Sequence, residues 1–253
     1  MRVLLRVNTD FPGARTLAGQ LAADGVPAGA RIIYSSRNKV AVIDDGAEGP
    51  LCVKAFGVPG IIKGIIYGLF RKPKALKAFD NAEQLRALGF DTPEPVCAVT
   101  LTECGCLRRS YYVCRYLENW CELRGIENLA DFTALVRALA AYMNRLHRAG
   151  VFMKDFTQGN ILFRRDGKGA YCFMLVDINR MEFGVTGTKK LMSNFGAALD
   201  TREGIVALAH AYAALQPESE RDTVEALAVD TFDRRQAVLW RRRHIKEFLR
   251  GKK

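Results

Sequence analysis

The 253-residue sequence predicts an α+β protein in two lobes, a small β-rich amino-terminal lobe over residues 1–117 and a helical lobe over residues 118–253. Three observations carry this. In the first part apolar runs are short, rich in Val, Ile and Tyr, and separated by turn residues, the pattern of strands. After Asn119 the apolar positions Phe132, Leu135, Val136, Leu139, Met143 and Leu146 repeat with helical period. The composition, 49% hydrophobic and 26% charged with 22 Gly and 8 Pro, is that of a globular chain able to bury a core, which excludes disorder and fibrous repeats.

Taken in order, RIIY (Arg31 to Tyr34), KVAVI (Lys39 to Ile43) and LCVKAF (Leu51 to Phe56) read as an antiparallel meander joined by the turns SSRN and DDGAEG. Ile61, Ile65 and Leu69 then fall at i, i+4 and i+8, with Ile62, Ile66 and Phe70 alongside and Lys63, Arg71 and Lys72 as charge, so a basic amphipathic helix is expected. Pro73 breaks or restarts it, and KALKAFDNAEQLRAL continues helically to Gly89, a C′ glycine. Thr92-Pro93 and Glu94-Pro95 force extended backbone, and VCAVTL and YYVCRYL bring the sheet to about five strands. Asp131 is the expected N-cap of the next helix, which ends at Gly150. Asn160 to Phe163 and Cys172 to Ile178 form a hairpin around RRDGKGA, and the chain is helical from Thr201.

The chemistry is concentrated in MKDFTQGNILFRRDGKGAYCFMLVDINRMEF. Asp155 and Asn160 stand five apart on a loop after a helix, and Asp177 ends the second strand of the following hairpin. Phosphoryl transfer needs a carboxylate to accept the proton of an attacking hydroxyl, and hard oxygen ligands to hold Mg²⁺ against the phosphates of ATP. Asp155 suits the first task; Asn160 and Asp177 suit the second. Such chemistry also calls for a strand lysine on the phosphates, steadied by an acid of the next helix. Lys54 is the one charge in LCVKAF, while Asp80 and Glu83, three apart on one helix face, are both candidates for its partner. In the turn Ser35-Ser36-Arg37-Asn38, backbone N–H groups and the Arg37 side chain are placed to meet phosphates, with a plain β-turn as the alternative.

On these residues the sequence resembles the lipopolysaccharide core kinases (Kdo and heptose kinases), small bacterial members of the protein-kinase-like fold. The resemblance rests on IYSSRN, LCVKAFGVPG and LGFDTPEPV, and above all on KDFTQGNILF followed by LVDINRMEF, and runs from about Ile32 to about Leu199. That family's loop reads H-x-D-x-S/T-x-G-N and its metal-binding strand end D-x-N-R. Asp155, Gly159, Asn160, Asp177, Asn179 and Arg180 match. Met153 stands at the loop histidine, and Asp80, one methylene shorter than the usual glutamate, at the helix acid, with Glu83 in reserve. The resemblance implies a two-lobed fold, ATP and Mg²⁺, and a sugar of the inner lipopolysaccharide core, carried on lipid A, as phosphate acceptor. Another acceptor, protein or small molecule, and a pseudokinase without turnover are the alternatives.

Charge points to a partner independently. The balance of 38 basic and 27 acidic residues gives +11, and the last 20 residues hold nine Lys or Arg against Glu247, eight of those eleven charges. Val238, Leu239, Trp240, Ile245, Phe248 and Leu249 interleave with them, as an interfacial helix on an anionic membrane requires. A helix docked on the second lobe is the rival. No nucleic-acid-reading motif occurs, so nucleic acid is not expected as a partner. The opening MRVLLRVNTDFPG is too short an apolar run for a signal-peptide core, and no run of 18 apolar residues occurs, so the expectation is a cytoplasmic protein peripheral to the inner membrane. Seven cysteines without a CxxC pair read as reduced, buried thiols.

Overall fold

The computed structural model describes residues 1–44, 49–57, 60 and 64–250, without the side chains of Phe70, Lys246, Phe248, Leu249 and Arg250. Parts of the expected DDGAEG turn, the first residues of the amphipathic run (Ile61, Ile62 and Lys63) and the last three residues lie outside these. The chain divides into two compact units: Met1–Glu118 with Asp177–Arg180, and Asn119–Val176 with Met181–Lys253. Residues 177–180 thus belong with the first unit, although a single boundary near Leu117 would assign them to the second.

The first unit is built on a six-stranded antiparallel sheet of β1 (Arg2–Val7), β2 (Arg31–Ser35), β3 (Lys39–Asp44), β4 (Pro50–Ala55), β5 (Pro95–Glu103) and β6 (Cys106–Arg115), in the order β1-β5-β6-β4-β3-β2. Five of these strands are legible as runs of alternating apolar residues. The sixth, β1, and the helix α1 (Ala14–Ala23) that follows are not among the expected elements. β1 is an edge strand whose alternation is blurred by Arg2 and Arg6. Each face of the sheet receives one helix. Leu17, Ala18 and Leu21 of α1 pack with Leu51, Val53, Val99 and Val113, whereas Ala75, Ala78 and Phe79 of α2 (Lys74–Ala87) pack with Ala98, Tyr112 and Cys114 on the other face. Strand alternation sorts these two sets: odd-numbered residues of β4 face α1, even-numbered ones face α2. Lys54 is therefore on the α2 face.

Punctuation by single residues holds well here. Pro73 is the N-cap of α2 and Gly89, at φ 79°, follows its C-cap Leu88. The expected amphipathic helix before it is, in the described residues, α-helical at Gly64 and Ile65 and continues as a π-helical turn, Ile66–Phe70, closed by Arg71 N–H donating to the Ile66 carbonyl at 2.8 Å. Between β5 and β6, Cys104 and Gly105 both have positive φ (48° and 73°), the twist that a two-residue hairpin demands.

The second unit contains β7 (Cys121–Glu122), α3 (Phe132–Arg148), the short pair β8 (Phe152–Met153) and β11 (Met181–Glu182), the hairpin β9 (Ile161–Arg165) and β10 (Tyr171–Leu175), then α4 (Thr188–Met192), α5 (Arg202–Ala213) and α6 (Arg221–Arg250). Asp131 occupies the N-cap position of α3 but makes no capping bond; its carboxylate instead pairs with the Arg165 guanidinium and accepts from the Tyr171 hydroxyl. Thr201 does cap α5, accepting from Gly204 N–H at 3.0 Å. The cysteines are only partly as expected: Cys97 and Cys114 are buried, Cys52, Cys106 and Cys172 half-buried, and Cys104 and Cys121 exposed. Among the described residues no helix is long and apolar enough to cross a membrane.

Candidate active site

Within the first unit, Lys54 and Asp177 meet. Lys54 lies on β4 opposite Tyr112, its ammonium 5.4 Å from the Phe56 ring centroid and 2.5 Å from Asp177 Oδ1. Asp177 has φ 57°, a left-handed backbone that a non-glycine residue adopts at a cost and keeps where its surroundings over-determine it. Those surroundings are visible. The Asn179 amide donates to Asp177 Oδ1, and Asn81 of α2 donates through Nδ2 to the Ile178 carbonyl at 2.7 Å. The carboxylate is aimed by its own segment and by α2.

The acids expected to steady Lys54 are engaged differently. Asp80 pairs with Arg6 Nε of β1 at 3.2 Å and with the Lys72 ammonium, and Glu83 is exposed. Among the described residues the ion pair of Lys54 is with Asp177. Helical spacing does place Asp80 and Glu83 near one another, but it leaves open which side of α2 looks toward β4, and that side carries Ala75, Ala78 and Phe79.

Cations gather around this carboxylate. Lys74, half-buried in the first turn of α2, has its pKa held below the ordinary lysine value, chiefly by burial and then by the positive charges of Arg37 and Arg180, with Tyr67 and Asp177 pulling the other way. Such an excess of positive charge favours an anion. The turn carrying Arg37 is fixed by Ser36 N–H donating to the Asn38 carbonyl at 3.0 Å and by Gly57 N–H donating to Asn38 Oδ1 at 3.2 Å. Asn38 thus shapes the turn. Gly57 is required by this approach, since a Cβ there would lie 2.1 Å from the Arg37 carbonyl oxygen.

Within the second unit, Asp155 and Asn160 share one loop. Asn160 Nδ2 donates to the Asp155 main-chain carbonyl at 2.9 Å, and Asn160 N–H donates to Thr157 O at 2.8 Å. With its nitrogen so committed, the Asn160 side chain presents its oxygen as the ligand end. Leu123 N–H donates to the Gln158 carbonyl at 3.0 Å, and the Gln158 amide donates to Asp200. The carboxylate of Asp177 in the first unit and the amide oxygen of Asn160 in the second are each, taken singly, hard donors of the kind that suits Mg²⁺ and poorly suits soft metals.

Met153, two residues before Asp155, is buried at 2% exposure, and its carbonyl accepts from Asn194 Nδ2 at 2.7 Å. His147 stands behind: its Nε2 lies 3.1 Å from Asn194 Oδ1 and its Nδ1 2.9 Å from the Tyr212 hydroxyl. A buried imidazole thus reaches the loop backbone next to Met153 through Asn194. Reading the sequence alone misses His147, Asn194, Asn81 and Lys74. The one signal for His147 is its place inside the apolar stripe of α3.

Burial lowers the His147 pKa to about 4. The unfolded chain takes up this proton near pH 6.5 and the folded chain does not until about pH 4. Stability from this group is accordingly complete above pH 6.5 and falls as the pH drops toward 4, with about 2 kcal/mol gone by pH 5. Urea unfolding at pH 7.5 and pH 5 is expected to show this loss in the wild type and a markedly smaller one in His147→Gln. An equal loss in both would remove the assignment.

The family model described as Lipopolysaccharide kinase (Kdo/WaaP) family matches residues 60–205, more than half of the chain. The chain belongs to that family. No curated protein sequence matches it. Among solved structures, WaaP in complex with acyl carrier protein is similar at 16% identity and a TM-score of 0.63, over 94% of this chain and 99% of that one. The Rio2 kinase from Chaetomium thermophilum is similar at 15% identity and a TM-score of 0.50, over 93% and 83%. These likenesses show a protein-kinase-like fold. Membership of the lipopolysaccharide kinase family makes the chain a member of a phosphotransferase family, and the matched region contains Asp155, Asn160 and Asp177.

Proposed function

We propose that this member of the lipopolysaccharide kinase family transfers the terminal phosphoryl group of ATP to a hydroxyl of an inner-core sugar, Kdo or heptose, carried on lipid A. The observation that carries the reading is the contact of Lys54 with an Asp177 held in left-handed backbone at the start of D-x-N-R. Lys54, with Arg37 and Lys74 as further cations, takes the phosphates of the nucleotide, which replaces the carboxylate it now meets. Asp177 and Asn160 are the residues that would hold Mg²⁺, which would supply neutralisation of phosphate charge. Asp155 accepts the proton of the acceptor hydroxyl as its oxygen bonds to phosphorus and ADP leaves. Asn38 and Asp80 serve by fixing the Arg37 turn and the β1 side of α2, and Glu83 stays in reserve as an exposed acid of that helix.

The test is transfer of labelled terminal phosphate from ATP to lipid A bearing Kdo alone, or Kdo with heptose. Label in either product supports the reading and the pair of substrates tells the two sugars apart; label in neither, with Mg²⁺-ATP bound, favours a second reading. That reading, a kinase-like binding module without turnover, draws support from the absence of an α2 acid at Lys54 among the described residues.

An acceptor carried on lipid A calls for residence at an anionic membrane surface, and α6 suits this. Its first half is anchored by buried Val224, Ala228 and Phe232, while the described side chains from Arg234 to Ile245 are exposed, Trp240 by 60% and Ile245 by 59%. A helix end docked on the second unit would have covered them. Each Lys or Arg near an anionic surface contributes about 1 kcal/mol, so Arg241→Glu, Arg242→Glu and Arg243→Glu together are expected to weaken binding to anionic vesicles by a hundredfold or more. Binding should also fade between about 0.1 and 1 M salt as the screening length shrinks from about 10 to 3 Å. Unchanged sedimentation with vesicles would leave α6 without this role.

A further inference from the structure

Two cysteines face one another beside Lys54. Cys52 of β4 and Cys114 of β6 are directly opposed in the antiparallel register, as are Lys54 and Tyr112 two residues along. Opposed Cα atoms in such a pair lie about 4.5 or 5.5 Å apart, and both values fall within the span of about 4.4 to 6.8 Å that a disulfide bridges. Because side chains alternate along a strand, Cys52, Lys54, Tyr112 and Cys114 all project on the face that α2 covers. No other cysteine stands opposite a cysteine in the registers of the described strands: Cys97 faces Val113, Cys106 faces Glu103, Cys121 faces Phe163 and Cys172 faces Arg164.

We propose that Cys52 and Cys114 form a peroxide-sensitive dithiol whose oxidation to a disulfide switches off phosphoryl transfer at Lys54. The proposal rests on the reading of Lys54 as a nucleotide-gripping residue for its effect, but not for the formation of the bond. The two thiols are chemically unequal. Hydrogen bonding with Cys114, and then the nearby Lys54 charge, hold the Cys52 thiol below its ordinary pKa against the effect of burial, while the same hydrogen bond and burial push Cys114 well above its own. Cys52, half-buried where Cys114 is buried, is the attacking sulfur.

Its thiolate attacks one peroxide oxygen, forming an S–O bond and breaking the O–O bond, and the departing hydroxide takes a proton to become water. The Cys114 sulfur then attacks the Cys52 sulfur. The S–S bond forms, the S–O bond breaks, and the second hydroxide leaves as water with the Cys114 proton. Two thiols are oxidised and one peroxide is reduced to two waters.

A disulfide draws opposed Cβ atoms from about 4.5–5.5 Å to about 3.8 Å. The shift falls two residues from Lys54 on the same strand. Misplacement of a positioning group by about 1 Å costs on the order of a hundredfold in rate, which is the loss expected here.

The experiment treats the full-length chain with hydrogen peroxide, maps cysteine linkages in non-reduced peptides by mass, and measures phosphoryl transfer before oxidation, after it, and after reduction with dithiothreitol. A Cys52–Cys114 linkage with about a hundredfold reversible loss of transfer supports the proposal. Cys52→Ser and Cys114→Ser should each resist the loss, whereas Cys97→Ser, which leaves the pair intact, should remain sensitive. Absence of the linkage, or a linkage with transfer unchanged, overturns it. Reduced protein that fails to bind Mg²⁺-ATP would sink the nucleotide reading and the switch with it, while the linkage map would still show whether the two thiols join.

Discussion

Asp155→Asn is expected to lower phosphoryl transfer by about 10²- to 10⁴-fold while leaving Mg²⁺-ATP affinity within about twofold, because the carboxylate acts on the acceptor hydroxyl and general-base catalysis supplies an effect of that size. The substitution is nearly isosteric. The loop should also keep its shape, since Asn160 Nδ2 donates to the main-chain carbonyl of residue 155, which the change does not touch. The side chain loses its negative charge and, with it, the ability to take a proton. Steady-state kinetics alongside a nucleotide titration check this; wild-type turnover in the purified variant would end the assignment of Asp155 as base.

The other large effect is expected at Asp177, and the choice of substitution matters. Alanine at φ 57° would mix backbone strain with the loss of a ligand, whereas Asn tolerates left-handed backbone and keeps an oxygen for the Asn179 amide. Asp177→Asn should therefore fold normally and lose Mg²⁺-dependent ATP affinity by more than about a hundredfold, given that removing even partners outside the ligand shell changes metal affinity 10- to 100-fold. Metal-independent binding should suffer less, as Lys54 is freed of its carboxylate partner. A titration in which Mg²⁺-ATP affinity matches the wild type would count against the phosphoryl-transfer reading as a whole.

Much of this protein was legible before any coordinates because the relevant signals are local. Alternation in KVAVI and LCVKAF, Pro73 and Gly89 around one helix, the RRDGKGA turn and the five-residue spacing of Asp155 and Asn160 depend on neighbours a few residues away, where backbone stereochemistry restricts the choices. The residue types of the proposed site stand out in the sequence for the same reason: hard oxygens and a strand lysine are what the proposed chemistry demands. What tertiary structure decided are relations between segments far apart in the chain. Lys54 meets Asp177 across 123 positions, and Asp80 is taken by Arg6 across 74. Helical spacing carries no information about either. Burial made His147 a neutral support of the loop, strand register set Cys52 opposite Cys114, and the backbone at Asp177 turned left-handed under contacts from α2. Each follows from which surfaces the folded chain brings together, a free-energy balance over many packed groups that no short window of sequence contains.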